Sequence, residues 1–248
     1  MSAKLAILLI PAIFPLVPSC DFAGHLTLAD VLNRMQEREQ IRSASLSRYT
    51  CFRRYVLTNN RFHITAEMSA RMTYTYPGRK QFQVISEHGP AVIRRRILRE
   101  MIHAEAEASA DSTRERTEIT SSNYEFRLLR FETQQNRPAY VLEVTPKSKT
   151  KFSIHGKIWV DAQDFAIIRI EAVPAKNPSG LIRNTHVVQE YGKLEQLWLP
   201  LFSHSQADSL FFGRTEVTID SSDYDITKES DDLSSSLEHS EREAQRPN

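Results

Sequence analysis

From Asn123 onward the chain is a close succession of strand-like segments, each cut off by turn-forming residues. The candidate strands are 124–133, 138–145, 153–161, 165–173, 183–192, 197–208 and 211–219. Between them stand Gln135-Asn136, Pro146-Lys147, the stretch Asp161 to Asp164, the stretch Pro174 to Gly180, and Gly192-Lys193. Parallel neighbours need crossovers of a dozen or more residues, whereas hairpins need only a few. Connections this short therefore demand an antiparallel sheet.

Three further strands precede this block, at Tyr49 to Leu57, Arg61 to Tyr76 and Lys80 to Ser86, punctuated by Asn59-Asn60, Pro77-Gly78 and His88-Gly89-Pro90. Two segments have helical spacing instead. In His25 to Ser45, Leu28, Val31, Leu32, Met35 and Ile41 recur at helical intervals, with Thr27 placed to cap. In Val92 to Ser109 the stripe is Val92, Ile93, Ile97, Leu98, Met101 and Ile102. About ten strands and two helices make an α+β domain. A sheet of that width must curl, and the early helices can cover its inner face. No period of 20–50 residues repeats.

Alternation singles out the candidate inner face. Tyr140, Leu142 and Val144 share one side of a strand; Ile154, Ile158 and Val160 share one side of the next. Ile167, Ile168 and Ile170 make both faces apolar at one point. Leu142, Val144, Ile158, Val160, Ile168 and Ile170 are the candidate cavity-lining residues. The pattern fits a filled core and a hollow one alike.

The first 20 residues carry Lys4 and then an apolar run of 13 residues, Leu5 to Val17, interrupted by Pro11 and Pro15. That is too short to span about 30 Å of hydrocarbon. It has the form of an export signal, and residues 1–20 are read as one. Val17-Pro18-Ser19-Cys20 resembles a bacterial lipobox, making Cys20 a candidate lipid anchor; ordinary cleavage near Ser19 or Cys20 is the other reading. Cys51 is then the remaining thiol, expected as a half-buried strand residue.

Composition narrows the function. A formal net charge of +1 argues against a nucleic-acid partner, and two cysteines exclude a multi-cysteine zinc module. The charge is uneven. Residues 223–248 hold eight acidic and three basic residues, so the segment is read as an acidic disordered tail. No catalytic signature such as G-x-S-x-G, a P-loop, G-x-G-x-x-G or H-E-x-x-H occurs. Glu100, His103 and Glu107 share a helical face but lack a second such helix, so they read as a solvated face rather than a metal site. The cluster Arg94, Arg95, Arg96 and Arg99 reads as the exposed side of its helix, with an anionic membrane surface as the alternative. The expectation is a protein that is not an enzyme and uses no cofactor or metal.

One succession is more specific. Leu142-x-Val144-x-Pro146-Lys147 leads to Gly156-x-Ile158-Trp159-Val160-Asp161, then Ile167-x-Arg169-x-Glu171 within Asp164 to Glu171, then Trp198-Leu199-Pro200 and Phe212-Gly213-Arg214-Thr215-Glu216. The opening helix and the pair Met72–Tyr76 and Phe82–Ile85 around Pro77 are compatible with it. In this pattern residues 25–222 resemble the LolA-like superfamily of outer-membrane lipoprotein-sorting proteins, which includes RseB-like envelope sensors. The resemblance implies an unclosed half-barrel with helices over an apolar cavity. It implies a periplasmic or cell-envelope location in a Gram-negative-type bacterium. It also implies acyl chains of lipoproteins or lipids as ligands, or a protein partner in the inner or outer membrane. The family's sorting chaperone has an arginine before the proline of the early hairpin; Tyr76 stands there instead. The loop Ala175 to Arg183 carries Leu181 and Ile182; it reads as a loop tucked on the barrel rim, with an apolar tip for peripheral membrane contact as the alternative.

Overall fold

The computed structural model describes residues 26–177, 182–209 and 213–228. One continuous antiparallel sheet of ten strands runs through them. The strands are β1 (Leu46–Asn59), β2 (Ile64–Thr75), β3 (Arg79–His88), β4 (Tyr124–Gln134), β5 (Arg137–Pro146), β6 (Ile154–Asp161), β7 (Ile167–Pro174), β8 (Ile182–Leu194), β9 (Leu197–Ser209) and β10 (Gly213–Lys228). Their order across the sheet is β3-β2-β1-β10-β9-β8-β7-β6-β5-β4. Every neighbour except the β1–β10 pair is joined by sequence adjacency. The first and last strands meet in the interior of the sheet, with Tyr55 opposite Ile219 and Leu57 opposite Val217. The outer strands β3 and β4 do not pair with each other, so the sheet is an open half-barrel.

Each strand expected from the sequence is present. Most boundaries move by three residues or fewer, but β10 continues to Lys228, so residues 223–228, assigned above to the tail, are strand. Tyr224 and Ile226 explain this, because their side chains pack with Tyr49, Tyr74 and Leu199. The Tyr224 hydroxyl also donates to the Pro200 carbonyl. Residues 229–248 and the candidate signal at 1–20 with Cys20 lie outside the described residues.

Helix α1 (Leu28–Ser45) begins at a reciprocal capping box. The Asp30 amide donates to Thr27 Oγ1 at 3.2 Å, and the Thr27 amide donates to Asp30 Oδ2 at 3.1 Å. The second helical stretch comprises α2 (Ala91–Ile93), a π-helical turn (Arg94–Leu98) and α3 (Arg99–Ala108). The wide turn keeps Ile93, Leu98 and Ile102 on one buried side, against Tyr55, Leu57, Met68 and Ala70. It also carries Arg94 and Arg99 to the same carboxylate, Glu87, at 3.3 and 2.7 Å. A short helix absent from the sequence reading, α4 (Asp111–Thr117), follows. Its sequence is polar throughout and has no apolar stripe to betray it. Among the described residues, no helix is long and apolar enough to cross a membrane.

Candidate functional site

The inner face of the sheet is packed at two places and hollow between them. Helix α1 seats its first turns on β4–β7, where Val31 is fully buried among Tyr140, Leu142, Val144, Ile158 and Val160. Val31 is the only residue of α1 that is buried. Beyond Met35 the exposed-type sequence Gln36-Glu37-Arg38-Glu39-Gln40 offers the sheet no apolar anchor. The helix therefore overhangs, and a cavity of about 830 Å³ opens beneath it. This lies within the usual range for small-ligand sites, about 300–1,000 Å³.

The cavity has two characters. Leu32 and Met35 of α1, Phe126 of β4, Phe165, and Ile167 and Ile170 of β7 line an apolar part. Tyr49, Tyr191, Leu197 and Leu199 extend it across β1, β8 and β9. Burial pushes the Tyr191 hydroxyl up to about 12, so that hydroxyl remains protonated at neutral pH. At the other end the lining includes Arg38, Glu39, Arg42, Lys80, Arg114 and Glu118. Arg42 is engaged by Glu39, with hydrogen bonds of 2.6 and 2.8 Å. Arg38 donates to the Gln196 carbonyl at 2.8 Å. Tyr76 and Pro77, joined by a cis bond, form part of the same rim.

Lys80 belongs to a tight ionic group behind the rim. Arg53, only 4% exposed, and Lys80 both reach Glu105 of α3, at 2.8 and 2.7 Å. Burial acts to raise the Glu105 carboxyl, but the charges of Lys80 and Arg53 outweigh it and hold it at about 2. This group ties the second helical stretch to the middle of the sheet. Cys51 lies close by and is buried and unpaired. Burial raises its thiol above the usual range, which disfavours the thiolate a nucleophile needs.

The six candidate cavity residues divide three ways. Ile170 lines the hollow. Leu142, Val144, Ile158 and Val160 share its face but are fully buried in the packed cluster under α1. Ile168 does not share that face. An irregularity between Trp159 and Val160 sets Val160 opposite Ile167 and turns Ile168 outward, where it packs with Val141, Trp159 and Trp198. Leu181 lies outside the described residues, and Ile182 opens β8. The polar end was not found from sequence. Its residues come from α1, β3 and α4, and no local spacing links them. Groups of three or more His, Cys, Asp or Glu side chains able to hold a metal do not occur among the described residues.

No family model matches this chain, and no curated protein matches it. Solved structures do. It is similar to a LolA superfamily protein from Nitrosomonas europaea, at 12% identity over 82% of this chain and 94% of that one, with a TM-score of 0.43. It is similar to a DUF1329 family protein from Desulfovibrio piger, at 11% identity over 80% and 92%, with a TM-score of 0.44. It is also similar to MucB in the MucA/MucB complex of Pseudomonas aeruginosa, at 13% identity over 78% and 92%, with a TM-score of 0.26.

Proposed function

We propose that this protein is a periplasmic carrier that shelters acyl chains of lipoproteins or lipids in the hollow beneath α1. The observation that carries the reading is the cavity itself: about 830 Å³, with an apolar wall and an overhanging helix as its roof. Hydrocarbon in water costs about 0.8 kcal/mol per CH₂, so a long chain cannot diffuse free. An apolar space roofed by a helix whose middle turns lack apolar anchors meets the need. Such carriage breaks no bond and calls for no nucleophile. The export-type start of the sequence and the Leu142-to-Pro200 motif series support the same reading. Cys20, if acylated, would tether the carrier to a membrane.

Mass spectrometry of protein purified gently from envelopes tests the proposal. Co-purifying acyl lipid, or uptake of a fluorescent acyl probe by the delipidated protein, is the expected result. Protein that carries no lipid and takes up no probe overturns it.

The second reading is a sensor or scaffold that binds a protein partner, as RseB-like proteins do. The open edge strand β3 favours it, since Val84 and Ile85 there are 37% and 53% exposed. Capture of an envelope protein by the native chain, lost on Ile85→Lys and accompanied by an empty cavity, would decide for this reading.

A further inference from the structure

The polar end of the cavity contains one guanidinium whose bonding is incomplete. Arg114, on α4, is 22% exposed at its side chain and lines the cavity. Its Nε is buried with no hydrogen-bond partner among the described residues. Among the described residues its one ion pair is with Glu118, at 3.4 Å, the long limit of a hydrogen bond. Burial raises the Glu118 carboxyl above its ordinary range, which makes it a weak counter-ion.

The stem of Arg114 is nevertheless held in place. It crosses Gly78 so closely that a Cβ on that glycine would collide with Arg114 Cδ. Of the other cations at this end, Arg42 is paired with Glu39 and Lys80 with Glu105, and Arg38 donates to the Gln196 carbonyl at 2.8 Å. The Nε lies against Gly78 and is closed to solvent, so the donors open to a ligand are those at the partly exposed end of the guanidinium, held only by the long contact to Glu118.

We propose that Arg114 is the head-group anchor of the cavity, and that the ligand is an amphiphile bearing a carboxylate or phosphate at one end of its hydrocarbon chain. This rests on the acyl-carrier reading and adds the chemistry and direction of the ligand. The chain lies toward Leu32, Phe165 and Ile170, and the anionic head meets Arg114. A planar guanidinium suits such an oxyanion because it can present two parallel donors.

The test uses the full chain loaded with the neutral fluorophore N-phenyl-1-naphthylamine. Dodecanoate, dodecyl phosphate, methyl dodecanoate and inorganic phosphate are then compared as competitors. Dodecanoate and dodecyl phosphate are expected to displace the fluorophore at about tenfold lower concentration than the ester, the effect of one charge-assisted hydrogen bond. Arg114→Met is expected to erase that preference, bringing the acids and the ester to equal potency. Arg114→Lys is expected to retain part of it. Equal potency of acids and ester in the native protein overturns the assignment, as does a preference that survives in Arg114→Met. Inorganic phosphate competing as well as dodecyl phosphate also overturns it, because the site would then recognise a free anion. Failure of the fluorophore to enter strikes the carrier reading itself, and this proposal with it. Thermal melts of both variants matching the native protein establish that neither effect comes from unfolding.

Discussion

Arg53 on β1 donates hydrogen bonds of 2.8 Å to both carboxylate oxygens of Glu105 on α3. Arg53 is almost wholly shielded from solvent, so this pair fixes a helix to the sheet through charges that water cannot easily replace. The stabilisation is conditional on the carboxylate remaining ionised.

Glu105→Gln should therefore destabilise the fold by about 3 kcal/mol at neutral pH, because it strands a buried guanidinium. The pH dependence has a definite sign. The folded-state carboxyl sits at about 2 against an ordinary 4.5. Its contribution is complete above the unfolded value and is lost as pH falls from about 4.5 through about 2. Urea denaturation across that range should show a steep loss in the native protein and a flatter one in the variant. Equal slopes would remove Glu105 from the account.

A second ionic centre lies on the outer side of the sheet. Asp161 is fully buried and accepts from Arg137 Nη2 at 2.9 Å and from the amides of Gln163 and Asp164 at 2.9 and 2.7 Å. Burial opposes its ionisation, but the Arg137 hydrogen bond and the two amides prevail and keep it below the usual carboxylate range. Asp161→Ala should cost about 2–3 kcal/mol, measured by chemical denaturation, since two amides and a guanidinium lose their acceptor. A change under 0.5 kcal/mol would show that the β6–β7 turn holds without it.

Filling the hollow should separate binding from folding. Met35 lines the cavity and packs only partly against the cluster beneath α1. Met35→Trp is expected to reduce uptake of a fluorescent acyl probe at least tenfold while moving the melting temperature by only a few degrees. Undiminished uptake would place the ligand elsewhere.

Cys51 gives a simple check on the inner face. In a Cys20→Ser chain, a water-soluble thiol reagent should fail to label the native protein and should label it fully in denaturant, because the one remaining thiol is buried. Rapid labelling of the native state would mean that β1 and β2 are open to solvent there.

The strands were legible in the sequence because hairpins announce themselves: Gln135 and Asn136 both take positive φ between β4 and β5, as a tight turn requires. The end of β10 was obscured by Ser221-Ser222-Asp223, which reads as polar loop, although Tyr224 and Ile226 already alternate beyond it. The inner face was legible in parity but not in depth. Leu142 and Ile170 belong to the same face, yet one lies under α1 and the other beside the void, a difference set by where the helix lifts away. Ile168 shows the limit of alternation, since a single irregularity turns it away from the face that Ile170 keeps. Arg114 was beyond reach, because its role depends on Gly78, 36 positions away in the chain.

The pairing of β1 with β10 has a kinetic consequence. Among the described strands, β1 finds this partner only once β10 has been made, and β10 begins at Gly213, far along the chain from Asn59 where β1 ends. Contacts that bridge nearly the whole length of the chain slow its folding.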